Sequence, residues 1–450
     1  MRIYIESYGC QMNEYDTELI RTILTKDNFA FVNSESEADV VMLNTCSVRE
    51  GANLKIYNRI HEIKRAVKGH EVLVGILGCM ATNFRQELLK NPRLAIDFIA
   101  GPDSYKKLPD LIREASLTGE KQFDVTLSEF ETYSDVFPNN REGVNAWIAV
   151  MRGCDNFCTF CVVPYTRGRE RSRPPENVVA EVRMLAEEGF KQVTFLGQNV
   201  NSYKYEGTDF ADLLDAASRV DGIERIRFTS PHPKDFPDKL LKLIAENPRL
   251  CKHIHLPLQA GHNRILEMMN RTYTQEEFLG LVDKIRQLMP QAALTTDVIV
   301  GFPTETDEEF EATLKVMKTV RFDAAFMFKY SQRPMTAAAK KFPDDVSEEK
   351  KTERIVRLNE IQRQISLERN REQIGKIEEI LIEGITPKTD LEFQGRSDGN
   401  KLVIVPTEGL KRNTLVKVQI TEASTSVLKG KIISNQPMLN PRSQGKALHT

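Results

Sequence analysis

The stretch WIAVMRGCDNFCTFC, Trp147 to Cys161, decides how the rest of the chain is read. A short apolar, strand-prone run leads directly into three cysteines spaced Cys-x-x-x-Cys-x-x-Cys: Cys154, Cys158 and Cys161. Three thiolates on one loop can hold three corners of a cubane iron–sulfur cluster. The fourth iron then has no side-chain ligand, and catalytic metal sites keep such a free position for substrate. Structural zinc is a weaker alternative, because it takes four ligands, usually in two close pairs. No second Cys-x-x-Cys or nearby His pair follows. A ferredoxin-type electron carrier would supply a fourth cysteine soon after, and none comes before Cys251, which is expected to be a buried small side chain.

Outward from that loop the pattern alternates between strand and helix. Candidate strands are Trp147–Met151, Gln192–Leu196, Arg225–Ser230, His253–Leu256, Leu294–Val300 and Ala324–Tyr330. Thr274 followed by Glu277 has the capping-box spacing and opens a helix through about Met289; Thr304 or Thr306 opens another that ends near Val320. Six β/α units predict an incomplete TIM-like barrel over 142–371, with its chemistry at the C-terminal strand ends.

Upstream, Arg2–Tyr8, Ala38–Asn44 and Glu71–Leu77 read as strands with helices between them, one around Leu54–Val67. That predicts a parallel α/β domain over 1–120. Cys10, Cys46 and Cys79 directly follow these three strands. The ends of parallel strands lie side by side on one edge, so the three sulfurs can converge as a second open cluster site. Gly9 and Gly78 would let the backbone turn tightly around it. The acidic stretch within 121–141 reads as a linker.

Downstream, Ser347 starts a long charged helix that can run to Gly375. The segment 372–435 then reads as short strands with Gly-rich turns, a small β-barrel. From Arg371 to the end there are 12 Lys and Arg against 9 Asp and Glu. Residues 436–450 read as a loose tail. The whole chain of 450 residues, enough for about three domains, is near neutral: 62 Lys and Arg against 64 Asp and Glu, with 40% hydrophobic residues. That balance excludes a disordered chain and a uniformly basic nucleic-acid coat. No apolar run reaches the roughly 18 residues of a membrane span, and the first residues have no export signal. The expected compartment is the reducing cytoplasm, where seven cysteines serve as thiolates rather than disulfides.

Several long motifs in fixed order resemble the radical S-adenosylmethionine (SAM) methylthiotransferases. They are YIESYGCQMNEYD, LNTCSVRE, GILGCMA, MRGCDNFCTFCVVPYTRGRERSR, FLGQNVNSY, SPHP, HLPLQAGHNRIL and TDVIVGFPTET. The C-terminal segment is similar to a TRAM RNA-binding domain. GCDNFCTFCVVPYTRGRE most resembles the bacterial branch that makes 2-methylthio-N(6)-dimethylallyladenosine in tRNA.

This resemblance implies an enzyme that replaces the carbon-2 hydrogen of N(6)-isopentenyladenosine, at position 37 beside the tRNA anticodon, with a methylthio group. An aromatic C–H is neither acidic nor a leaving group, so acid–base residues cannot do this, and no convincing His/Asp/Ser constellation is present. Two [4Fe-4S] clusters and two equivalents of SAM would carry the chemistry. One SAM methylates a sulfur held at Cys10, Cys46 and Cys79; the other is cleaved to a radical at Cys154, Cys158 and Cys161. Partners would be the tRNA anticodon stem-loop, an electron donor and a sulfur or cluster donor, with no membrane.

Candidate SAM contacts are Phe160, just before the last cysteine, and the barrel-mouth residues Gln198, Asn199, Ser230, Gln259, Asp297 and Gly301. Candidate RNA contacts are Arg167, Arg169, Arg171 and Arg173 beside the cluster loop. Phe393, Arg396, Lys401, Lys411 and Arg412 are the corresponding candidates in the terminal β-domain. His232 and His255 can line the pocket, whereas Met12 and Trp147 read as structural. Sister enzymes that methylthiolate a ribosomal-protein aspartate or threonylcarbamoyladenosine in tRNA share the cluster motifs. A non-enzymatic iron–sulfur redox sensor that binds RNA is the alternative from another class.

Overall fold

The computed structural model describes residues 1–47, 52–66, 71–91, 94–138, 143–407 and 409–434. The N-terminal domain is a six-stranded parallel sheet in the order Ala30–Phe31, Arg2–Ser7, Val40–Thr45, Leu73–Gly78, Phe98–Ala100, Gln122–Asp124. Apolar clusters cover it on both faces, which is why Val40–Thr45 is buried throughout and its sequence is a continuous run rather than an alternation. The three expected strands are present within two residues at each end, and the helix expected at Leu54–Val67 spans Ala52–Ala66.

The linker expected over 121–141 needs correction. Its start, Gln122–Asp124, is the edge strand of this sheet, paired with Phe98–Ala100. Further along, Tyr133 and Val136 are buried in the same domain's core. Tyr133 stacks on Tyr105 at 5.8 Å and donates from its hydroxyl to the Pro102 carbonyl at 3.0 Å. Two apolar anchors hold an otherwise acidic segment against the domain. Residues 436–450, expected as a tail, lie outside the described residues.

The central domain has the six expected parallel strands, Asn145–Ala149, Gln192–Leu196, Arg225–Phe228, His253–His255, Ala293–Val300 and Ala324–Lys329. They form two three-stranded sheets joined through a parallel bridge between Ile226 and Leu250. Alternate residues such as Ile148, Val193, Ile226, Ile254, Leu294 and Val298 pack outward into the large core shared with the helices. Their neighbours, including Trp147, Thr194, Arg227, His255, Asp297 and Phe326, therefore face the lumen. Thr274 and Thr306 both close complete capping boxes; Thr306 starts helix Asp307–Val320. Ser347 caps the helix Glu348–Arg371, which spans roughly 36 Å.

The last described segment closes into a five-stranded barrel of Ile377–Thr386, Thr389–Arg396, Leu402–Pro406, Leu415–Ala423 and Leu428–Ser434. Its turn at Ser397–Asn400 seals the N-terminal end of the central lumen. Arg227 donates to the Ser397 and Asp398 carbonyls at 2.6 and 2.8 Å, and Arg225 to the Arg396 carbonyl at 2.7 Å. The Asp398 carboxylate accepts the Lys252 backbone N–H at 2.9 Å.

Candidate metal and cofactor site

Cys10, Cys46 and Cys79 stand at the C-terminal ends of three adjacent strands and meet there. Cys10 N-caps helix Gln11–Lys26, and Cys79 opens helix Cys79–Asn83. A side chain at Gly9 would place its Cβ 2.3 Å from Cys46 Cβ, and one at Gly78 would fall 2.5 Å from the Thr45 carbonyl oxygen. The three loops can close together only with glycine at these positions, both of which have positive φ. The Cys10 thiol is pulled down to about 6 by its hydrogen bond with Cys46 and, against burial, by the charge of Arg167. Burial pushes the Cys79 thiol up, countered in part by Arg167. The guanidinium of Arg167 donates from Nε to Cys79 Sγ at 3.2 Å.

Arg167 is itself buried and held by its other arm, Nη2, which donates to Asn13 Oδ1 and to Asp16 Oδ2, both at 2.9 Å. Its Nη1 has no protein partner and is buried beside the thiols. Three soft thiols, a fixed positive charge and a spare donor suit an anionic sulfur-bridged cluster. Among the described residues, no group of three His, Cys, Asp or Glu closes around a single metal ion. A cubane is a larger object whose cysteine sulfurs bind separate irons, so a looser set suits it.

The second set follows strand Asn145–Ala149. The Cys154 loop is tied to the Gly168–Glu170 turn. The Cys154 N–H donates to the Gly168 carbonyl at 3.1 Å, and a Cβ on Gly153 would lie 1.9 Å from the Arg169 oxygen. From the other side, Asn270 Nδ2 donates to the Asn156 carbonyl at 2.9 Å, and Thr159 Oγ1 donates to the Met268 carbonyl at 2.7 Å. Burial pushes the Cys154 thiol up to about 11 and the Cys161 thiol up to about 12. Again one buried arginine serves the sulfurs: Arg271 Nη1 donates to Cys158 Sγ at 3.3 Å. Each cysteine set thus has a positive charge in place to offset the negative charge of a bound cluster. Nothing in the sequence around Arg271 or Asn270 signals this role. Asn13 and Asp16 were legible in principle: they recur every three residues after Cys10, on one helix face.

The arginine run needs correction. Three of its four members are interior, not phosphate-facing. Arg167 bridges Asp16 and Cys79, Arg171 makes a bidentate pair with Asp103 at 3.0 Å, and Arg173 pairs with Glu181 at 2.7 Å with both buried. Arg152 joins them by donating to Asp16 at 2.7 Å. Asp16, Asp103 and Glu181 supply the missing charge, which makes burial tolerable. Only Arg169 is exposed, and it pairs with Asp155 and covers the Phe157 ring.

The SAM candidates divide. Gln198 accepts the Gly153 N–H at 2.6 Å and so braces the cluster loop. Asn199 is buried and donates to Glu170 and Asp235 at 3.1 Å each, with its own Oδ1 unpaired. Gln259 is buried, in a left-handed conformation, on a backbone bridge to the strand of Asp297. Ser230 is exposed at the rim. Phe160 packs at the edge of the central core. Asp297 lies three residues short of its strand's end, facing the lumen and paired with His255 at 3.3 Å, so it is not at the mouth as expected. Gly301 meets Lys351, whose Cγ would lie 2.4 Å from an added Cβ; its glycine is needed for helix packing. His232 is buried against Tyr273.

In the terminal barrel, Lys401 pairs with buried Asp323 at 2.7 Å and helps dock the domain, which corrects its reading as an RNA contact. Phe393 packs against the barrel's core, and Arg396 pairs with Glu383. Lys411 and Arg412 remain exposed. Cys251 is buried, as expected.

Family models match the same three regions: the radical SAM superfamily over residues 148–317, Uncharacterized protein family UPF0004 over 2–101, and the TRAM domain over 371–433. A radical SAM methyltransferase, TsrM from Kitasatospora setae, shares the fold with a TM-score of 0.58 at 15% identity, over 75% of each chain. An open six-stranded β/α barrel with this three-cysteine loop is the architecture of a radical SAM enzyme. Along nearly its full length the chain is 46% identical to a tRNA-2-methylthio-N(6)-dimethylallyladenosine synthase of Chloroherpeton thalassium, covering 95% of both chains. A synthase of the same name from Porphyromonas gingivalis is 44% identical over 96% of this chain and 95% of its own. The chain belongs to the tRNA-2-methylthio-N(6)-dimethylallyladenosine synthase family.

Proposed function

We infer that this enzyme replaces the carbon-2 hydrogen of N(6)-dimethylallyladenosine in tRNA with a methylthio group. The observation that carries the reading is the meeting of two three-cysteine sites, joined by the Arg167 contact to Cys79 six residues after Cys161. When bound, two [4Fe-4S] clusters and SAM supply sulfur, methyl and radical chemistry. The protein's own part is positional. Cys10, Cys46 and Cys79 hold one cluster, and Cys154, Cys158 and Cys161 hold the other. Arg167 and Arg271 neutralise their thiolates. Gln198 fixes the cluster loop, and Asn199 and Gln259 line the mouth where SAM would sit. Lys411 and Arg412, the latter held by an Nε hydrogen bond to the Glu383 carbonyl at 3.0 Å, are exposed where RNA phosphates could meet them. A carbon-2 edge inside an anticodon loop must be turned out of its stack to reach this lumen.

The reading also requires an electron donor and a source of replacement sulfur, and it places the enzyme with its tRNA in the cytoplasm. No described helix is long and apolar enough to cross a membrane.

The test is anaerobic reconstitution followed by product analysis with dimethylallyladenosine-containing tRNA. Cys154→Ala should release no 5′-deoxyadenosine. Cys46→Ala should still cleave SAM yet make no methylthio product. Activity on a ribosomal-protein aspartate or on threonylcarbamoyladenosine, with none on the prenylated base, would overturn the substrate assignment.

A further inference from the structure

The lumen wall formed by the last barrel strand carries an unusual surface. Among the described residues, Phe326 and Phe328 are the only large apolar side chains on the six barrel strands that are exposed, at 59% and 47%. Both lie on the inward face of the last strand, Ala324–Lys329. Register places Phe326 beside Asp297 and Phe328 beside Ile299. The His255 ring meets Phe326 edge-on at 6.2 Å and shares its Nε2 with Asp297 at 3.3 Å. The floor lies below, where Gly399 of the terminal barrel sits so close to Ala293 that an added Cβ would lie 3.2 Å from the Ala293 side chain. At about 3.3 Å per residue, Phe326 stands roughly 13 Å above it.

Resting on the substrate reading above, we propose that Phe326 and Phe328 form the platform for the dimethylallyl group and determine which modified adenosine the enzyme accepts. On the first strand's side, Trp147 and Cys10 pack together with Met12, Tyr15, Ala149 and Leu196, and the Cys154 loop rises from the same strand. Carbon 2 of the base must face that side. In adenine carbon 2 and the carbon bearing N6 flank N1, so their substituents diverge, and with carbon 2 at the first strand a group on N6 reaches a different part of the wall, which the last strand supplies. Two exposed phenyl rings suit a branched five-carbon group. Beside them, the Asp297 carboxylate disfavours an anionic substituent such as a threonylcarbamoyl group, so the wall selects by attraction and by repulsion. Lys329, on the same strand, faces outward and pairs with Glu348, so its charge is not turned toward Asp297.

The experiment measures binding of three labelled anticodon stem-loops to the anaerobically reconstituted holoenzyme by fluorescence anisotropy. The loops carry dimethylallyladenosine, unmodified adenosine or threonylcarbamoyladenosine. The parent should prefer the prenylated loop. Phe326→Ala and Phe328→Ala should each cut that preference roughly tenfold, about 1.4 kcal/mol, while Phe326→Leu keeps most of it. Asp297→Asn should raise affinity for the threonylcarbamoyl loop selectively. An unchanged preference in both alanine variants, or an equal loss for all three loops, overturns the platform. A parent that shows no preference for the prenylated loop overturns instead the substrate reading beneath it.

Discussion

Arg167 Nε lies 3.2 Å from Cys79 Sγ, across the boundary between the N-terminal domain and the barrel. The contact joins the ligand loop of one cluster to the helix that directly follows the other, Val163–Arg167. The same guanidinium and that of Arg152 converge on Asp16, which sits two turns into the helix that Cys10 caps. The two sites are thereby held at a fixed separation by buried charge, whose orientation a purely apolar interface would not specify so tightly.

Arg167→Ala should cost about 3–5 kcal/mol of stability, because it removes one partner of a buried charged pair. It should also empty the N-terminal site first. In a background with Cys154, Cys158 and Cys161 all replaced by Ala, iron content after reconstitution reports that site alone. A marked fall with Arg167→Ala, partly restored in Arg167→Lys, is expected. Iron equal to the parent's would remove Arg167 from the site.

Gly153→Ala tests the second loop. The added methyl would lie 1.9 Å from the Arg169 oxygen, at a residue whose φ is +79°, so the backbone itself has to move. The expected result is loss of the barrel cluster and of 5′-deoxyadenosine production, with the N-terminal cluster's iron retained. Normal SAM cleavage by this variant would show that the loop does not need the Gly168–Glu170 turn against it.

The strands of both α/β domains were legible because their apolar period is local and each ends at a motif. Cys10, Cys46 and Cys79 were legible because parallel strands put their ends on one edge. The arginine run was misread for the opposite reason. Locally, Arg167, Arg169, Arg171 and Arg173 look like a solvated basic strip, while Asp16 and Asp103, which bury two of them, lie 151 and 68 residues away. Lys401 failed in the same way, through Asp323. Tyr133 and Val136 show how two apolar residues in an acidic stretch suffice to keep it from being a linker.

The terminal barrel does more than present basic residues. Asp398, Arg225 and Arg227 make it the floor of the catalytic lumen. Asp398→Ala strips the Lys252 N–H of its acceptor and should destabilise the docked domain by about 1–3 kcal/mol. Limited proteolysis should then release a fragment ending near Arg371, with SAM cleavage impaired along with RNA affinity. A variant that lost RNA affinity alone would make the domain a mere appendage.

Two histidines, His232 buried and His253 half-buried, set how the fold responds to acid. Burial, then Arg271 and Lys234, hold His232 down at about 2; burial, then Arg227 and His255, hold His253 down at about 3. Both stay neutral in the folded chain, whereas in the unfolded chain each titrates near the usual value of about 6.5. Above that pH they contribute no pH dependence. As pH falls below it, the unfolded chain gains protons that the fold refuses, so stability is lost, by about 1.4 kcal/mol per pH unit for each histidine. In the same window Glu305, which burial raises to about 7, takes up a proton in the fold and acts in the opposite sense, so the histidine part is read as the difference between parent and variant. Urea unfolding of the holoprotein under anaerobic conditions should show this slope reduced by about 2.7 kcal/mol per pH unit in the double variant His232→Asn/His253→Gln. Asn at 232 keeps an acceptor for the Lys234 N–H, which His232 Nδ1 now takes at 3.3 Å, so the turn is preserved. Identical slopes in parent and double variant would mean that both rings take up protons without leaving the fold.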